Sequence, residues 1–269
     1  MKKLLTMAVA MVAAVTTVLA QETAKAAPVA VAEESSETGF SFDATLDIFS
    51  AYIWRGCVLN DRPVWQPAGT VSYSTGDYGT FSAGLWANAD MTDRMGHTTG
   101  AGLNEIDYTV SYAINVADFS FEVGNIWYTF PKASGQDYYN STREVYASVA
   151  YNNDIVTPSV SLYYDYDLME GFYGNVALNK EFALSDQLTL GLDVALGAGD
   201  DDYMAYLGTD DAGLMDFTAD VYLSYAVTDA VSVGAKLAWM SLVDSAARDV
   251  DAYNDKDILW GGVSLGVSL

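Results

Sequence analysis

The sequence predicts an all-β fold: a closed antiparallel transmembrane β-barrel of about 12 strands with both termini in the periplasm. Three observations carry this expectation. Apolar and polar residues alternate with period two through most of the chain, the links between the alternating segments are short and long by turns, and no segment beyond the first twenty residues is one continuous apolar run.

The N-terminus reads as an address. Lys2 and Lys3 precede the apolar run Leu4 to Leu19, and Val18-Leu19-Ala20 ends it as a signal peptidase requires. Cleavage is expected after Ala20, so 1–20 is a signal peptide. The run is shorter than the ~20 residues that a helix needs to cross ~30 Å of hydrocarbon. Residues 21–38, rich in Ala, Glu and Ser and without periodicity, read as a flexible periplasmic tail. The barrel is expected to occupy 39–269.

From Phe40 the even positions Phe42, Ala44, Leu46, Ile48, Tyr52 and Trp54 alternate with Ser41, Asp43, Thr45, Asp47 and Arg55, which gives a strand one oily and one polar face. The pattern recurs at Ile106 to Ile114, where Tyr108, Val110 and Tyr112 alternate with Asp107, Thr109 and Ser111. It recurs again at Val156 to Asp167, at Leu188 to Gly197 and at Asp216 to Tyr225. Strands are placed near 40–55, 64–74, 80–90, 105–114, 119–130, 143–152, 155–168, 171–182, 188–198, 215–226, 231–242 and 258–269. Boundaries are good to about three residues.

The links decide between a soluble sandwich and a membrane barrel. After the even strands come tight turns at 75–79, 115–118, 152–154, 183–187 and 227–230. After the odd strands come longer polar segments at 57–62, 91–104, 131–142, 199–214 and 243–257, with Met169-Glu170 the one short exception. Short periplasmic turns and long outside loops are the pattern of outer-membrane barrels. Closing the sheet also removes the edges that hydrocarbon does not tolerate.

Composition agrees. The chain has 36 acidic and 12 basic residues, net −24, and loss of Lys2 and Lys3 would take it to about −26. Nucleic acid is thereby excluded as a partner. A single cysteine leaves no internal disulfide. The 19 tyrosines, 10 phenylalanines and 6 tryptophans suit the aromatic girdles at the two membrane interfaces.

Several segments also resemble a known family. Tyr52-Ile53-Trp54-Arg55-Gly56, Pro63-Val64-Trp65-Gln66, the stretch Gly79 to Ala87, Glu105 with Asp107-Tyr108, Tyr128-Thr129-Phe130-Pro131 and Glu144-Val145-Tyr146 are similar to the TorF-like porins of Gram-negative outer membranes. The likeness spans most of 40–240. It implies a porin-like barrel and brings no substrate with it. The long acidic late loops, and an end at Val267-Ser268-Leu269 where many such barrels end in an aromatic residue, depart from that pattern.

The chemistry-bearing residues argue against catalysis. His97 is the only histidine and falls in a Gly- and Thr-rich outside loop, without the positioned partners that triad chemistry requires. Cys57 is expected to pack in the first outside loop, and one His and one Cys make no transition-metal site. Acidic clusters at Asp200-Asp201-Asp202 with Asp210-Asp211, and at Asp249, Asp251, Asp255 and Asp257, are weak calcium candidates. They lack the Gly and final Glu of a helix-loop-helix calcium motif, and charge runs are usually solvated. No cofactor is expected.

If the Leu and Val faces meet lipid, Asp43, Asp47, Asp107, Glu122, Glu144, Asp165, Asp193, Asp216 and Asp220 point into the lumen, opposed by Arg55 and Lys236. So many acids cannot all be paired, which favours an open, hydrated lumen over a plugged one. The expected function is a porin-like channel in the bacterial outer membrane for passive diffusion of small hydrophilic solutes, with a preference for cations. Its expected partners are outer-membrane lipid, small solutes or cations, the barrel-assembly machinery and divalent cations at the outside loops. Two other readings stay open here: a structural or adhesin-like barrel with an occluded lumen, and a barrel hydrolase.

Overall fold

The structure, a computed structural model, describes residues 38–92, 102–131, 141–209, 211–249 and 256–269. The expected leader, nearly all of the 21–38 tail, His97, Asp210, Asp251 and Asp255 lie outside the described residues.

Twelve antiparallel strands close into one barrel. In chain order they are β1 (Gly39–Phe49), β4 (Val64–Ser74), β5 (Thr80–Asp90), β6 (Gly102–Val116), β7 (Phe119–Thr129), β8 (Ser141–Tyr151), β9 (Thr157–Asp165), β10 (Phe172–Ala183), β11 (Leu188–Gly199), β12 (Gly213–Ala226), β13 (Val231–Leu242) and β14 (Asp257–Ser268). Two short strands, β2 (Tyr52–Trp54) and β3 (Cys57–Asn60), form a separate hairpin. Each barrel strand pairs with its neighbours in sequence, and β1 closes the ring on β14, with Asp43 opposite Ser268 and Phe49 opposite Gly262. Phe42 and Leu269 exchange backbone hydrogen bonds of 2.9 Å, so the start of β1 and the end of β14 lie together at the end that carries the tight turns.

Side-chain alternation decides which face meets what. Leu46, Ile48, Val160, Leu162, Leu192, Val221, Leu237 and Val263 stand exposed on the outside, Val160 at 52% and Leu192 at 44%. Water would penalise such a continuous apolar belt, and hydrocarbon stabilises it. The opposite phase holds Thr45, Asp47, Gln66, Asn88, Glu105, Glu144, Thr218, Asp220 and Lys236, all buried within the barrel. Leu192 faces Val221 and, one residue on, Asp193 faces Asp220, so the β11–β12 ladder keeps both faces in register.

One expected element is different. The strand predicted over 40–55 ends at Phe49, and the chain turns inward at Ser50-Ala51, where Ser50 N–H donates to the Gly261 carbonyl at 2.9 Å. Tyr52 and Trp54 therefore do not continue the outward apolar face. Tyr52 is buried in the lumen and Trp54 is partly buried. Period two reports that a strand has two faces but not what each face meets, which is why the alternation runs unbroken across a change of direction. Residues 57–60 likewise form β3 inside the barrel instead of part of an outside loop, and Cys57 is buried there.

Candidate functional site

The hairpin is set by its turn. Trp54 pairs with Cys57, leaving Arg55 and Gly56 as the two turn residues with φ of 45° and 80°. Two successive left-handed residues are what a tight two-residue hairpin needs. Gly56 also sits where a Cβ would fall 2.8 Å from Leu242 and 3.0 Å from Asp216, so the tip is pressed against β12 and β13.

From this tip Arg55 reaches the far wall. Its Nη1 and Nη2 donate to Oε1 and Oε2 of Glu144 on β8, at 2.7 and 2.9 Å. Tyr128 Oη donates to the same Glu144 at 2.8 Å. Ring faces surround the guanidinium carbon, with centroids at 4.3 Å for Tyr163, 4.4 Å for Tyr173, 4.9 Å for Trp54 and 5.9 Å for Tyr203. Each of these is an electrostatic attraction that strengthens as water is excluded. Tyr203 belongs to the short helix Asp201–Tyr206, whose N-terminus Asp200 caps by accepting from Tyr203 N–H at 2.9 Å. Burial pushes the Tyr203 phenol above the ordinary tyrosine range, against the opposing effect of the Arg55 charge. Tyr173 Oη donates to Asp216 at 3.0 Å, and Tyr146 stacks on Tyr163 at 5.5 Å.

A second cluster lies on β1, β11, β12 and β13. Lys236 Nζ approaches Asp220 Oδ2 at 3.8 Å, and Asp193 stands opposite Asp220 on the β11–β12 ladder. Asn179 donates to Asp193 at 2.7 Å.

The predicted lumen residues are distributed as follows. Asp47, Arg55, Asp107, Glu122, Glu144, Asp165, Asp216, Asp220 and Lys236 are buried inside the barrel, while Asp43 and Asp193 are half-buried. Arg55 is inside but on the hairpin, not on the wall. Glu122 accepts from Tyr146 Oη. Asp165 accepts from Thr142 at 2.6 Å and from the backbone N–H of Asp167, Leu168 and Met169, which shapes the β9–β10 link. Tyrosine, threonine and asparagine side chains thus hydrogen-bond Glu122, Glu144, Asp165, Asp193 and Asp216.

Sequence reasoning missed Glu105, which accepts from Tyr52 Oη at 2.9 Å, and the tyrosine cage itself. The available signal was phase: Tyr163 and Tyr173 stand on the polar side of their strands, opposite in phase to Leu162 and Val176. The acidic loops supply structure. Asp201 accepts from Ala212 N–H at 2.6 Å and Asp257 pairs with Arg248 at 2.6 Å. Among the described residues no three His, Cys, Asp or Glu side chains gather into a metal-holding group around Asp200, Asp201, Asp202 or Asp249.

Residues 32–260 match the profile of a family described as "Bacterial protein of unknown function (Gcw_chp)". No curated protein matches the sequence. Among solved structures, an outer membrane channel from Pseudomonas putida F1 shares the fold with a TM-score of 0.55 at 10% identity, over 88% of this chain and 97% of that one. A KdgM porin in complex with disordered oligogalacturonate gives 0.49 at 12% identity, over 85% and 99%, and the NanC porin 0.48 at 13%, over 85% and 98%.

Proposed function

The chain belongs to the Gcw_chp family, and on that premise, with the barrel's two faces described above, we propose that it is a porin-like channel of the bacterial outer membrane. It passes small hydrophilic solutes by diffusion and prefers cations. The observation that carries this reading is the closed barrel with an apolar exterior and a lumen in which, among the described residues, buried acids outnumber the buried bases Arg55 and Lys236. A negative wall in a confined, low-dielectric passage concentrates cations and excludes anions. In this reading the leader is removed after Ala20, residues 21–38 form a periplasmic tail, both termini are periplasmic, and outer-membrane lipid and the assembly machinery are partners. The narrower likeness to TorF-like porins belongs to the same proposal. The reading assigns no catalysis.

The test is reconstitution into planar lipid bilayers. Stepwise conductance, with a reversal potential of cation sign under a salt gradient, is the expected result. Anion preference overturns the selectivity. A second reading has its own observation: Arg55 and Glu144 have side-chain exposures of 0% and 1%, which favours a barrel closed at rest, with a structural or adhesive role. Well-folded protein without conductance, both as wild type and as R55A, would select that reading.

A further inference from the structure

The Arg55 guanidinium occupies a container that the rest of the chain builds. Glu144 and Tyr128 come from β8 and β7, Tyr163 and Tyr173 from β9 and β10, and Tyr203 from the Asp201–Tyr206 helix; of the groups around the guanidinium, only Trp54 travels with the hairpin. The wall groups hold one another without Arg55, through the Tyr128 to Glu144 bond, the Tyr173 to Asp216 bond and the Tyr146–Tyr163 stack. A carboxylate with both oxygens presented, flanked by ring faces, suits a planar, forked cation better than a point charge: two parallel bonds form in the plane and π faces lie against it.

The group that fills the container is carried under strain. Arg55 has φ of 45°, a region where Asn or Gly would be less costly, so the position is held for its side chain. Its hairpin of three- and four-residue strands shares no ladder with the barrel. The site thus has two parts: a cage built by the barrel strands and one helix, and an occupant carried on a hairpin that pairs with none of those strands.

We propose that this cage is a guanidinium-recognition site in which Arg55 is a tethered ligand, and that a solute bearing a guanidinium group is the class of cation able to take its place. The proposal deepens the channel reading, and rests on it, since the solute reaches the cage through the lumen. Free guanidinium and Arg55 then compete for one site, so a guanidinium that binds the wild-type protein must leave the hairpin tip displaced.

Binding is measured on detergent-refolded protein without any current. R55A titrated with guanidinium chloride in the millimolar range, at ionic strength held with sodium chloride, should show saturable heat by isothermal titration calorimetry and a change in tryptophan fluorescence. R55A/E144Q should bind about tenfold more weakly, equivalent to ~1.4 kcal/mol, and tetramethylammonium, which has no N–H to donate, should bind R55A more weakly than guanidinium does. Folded R55A without saturable binding overturns the proposal, as does binding undiminished by E144Q. Should R55A fail to refold, wild-type hydrogen exchange decides: guanidinium should accelerate exchange of the 52–60 amides while the barrel strands keep their protection. A hairpin unmoved across that whole range overturns it. Guanidinium binding without conductance would remove the channel and keep the site, whereas conductance without binding would do the reverse.

Discussion

Arg55 and Glu144 stand 89 positions apart and meet through two parallel hydrogen bonds of 2.7 and 2.9 Å, across the interior of the barrel. Because both groups are buried, the pair is worth much less than its Coulomb attraction, and breaking it costs more than never having formed it. E144A should therefore destabilise the barrel by about 3–5 kcal/mol, leaving a buried guanidinium without its counter-ion. R55M/E144L should recover most of that loss. Urea titration of liposome-refolded protein measures both, and a double variant as unstable as E144A alone would show that the cost is not electrostatic.

The outward faces make a contrasting prediction. Leu192 and Val221 face one another near the middle of β11 and β12 and are exposed outside the barrel. Arg at either position should cost about 2–4 kcal/mol in a bilayer, the range for the midplane. In a detergent micelle thin enough for the guanidinium to reach water the penalty should shrink, because long cationic side chains snorkel. An equal penalty in both settings would argue that these side chains do not face lipid.

Close packing inside the wall is tested at Gly191. A Cβ there would run into the Tyr222 ring, whose Oη donates to Glu181 at 2.6 Å. G191A should cost about 1–3 kcal/mol, the usual range for overpacking. G191A/Y222A should be more stable than the sum of its single changes predicts, by refolding yield and urea midpoint. Strict additivity would show that the ring moves aside freely.

Selectivity is tested at the second cluster. Replacing Asp47, Asp193 and Asp220 by Asn should move the reversal potential towards zero. In the wild type the preference should fade in concentrated salt, since the Debye length drops from ~10 Å at 0.1 M to ~3 Å at 1 M. A preference insensitive to both changes would assign selectivity to other residues.

Orientation is tested on intact cells. A protease site inserted at Asp211, in the β11–β12 link, should be cut from outside, and one at Asp229, in the β12–β13 turn, should be protected. The reverse pattern would invert the barrel.

Twelve strands, their two faces and the alternation of tight and long links were legible in the sequence because each is a local property. Period two puts Leu192 and Asp193 on opposite faces whatever the rest of the chain does, and residues such as Asn152-Asn153-Asp154 and Thr228-Asp229 mark a turn by their own chemistry. An excess of inward acids was legible for the same reason. What the tertiary structure alone decided is where Arg55 goes. The alternation through Tyr52 and Trp54 reads as more lipid-facing strand, yet the chain leaves the wall at Phe49 and turns the next residues into the lumen. Glu144, Tyr163, Tyr173 and Tyr203 sit on four separate elements, and only closure of the ring brings them around one guanidinium. Local periodicity reports that a side chain has an inside to point to; what it meets there depends on strands tens of residues away and on a loop that folds back into the barrel they form.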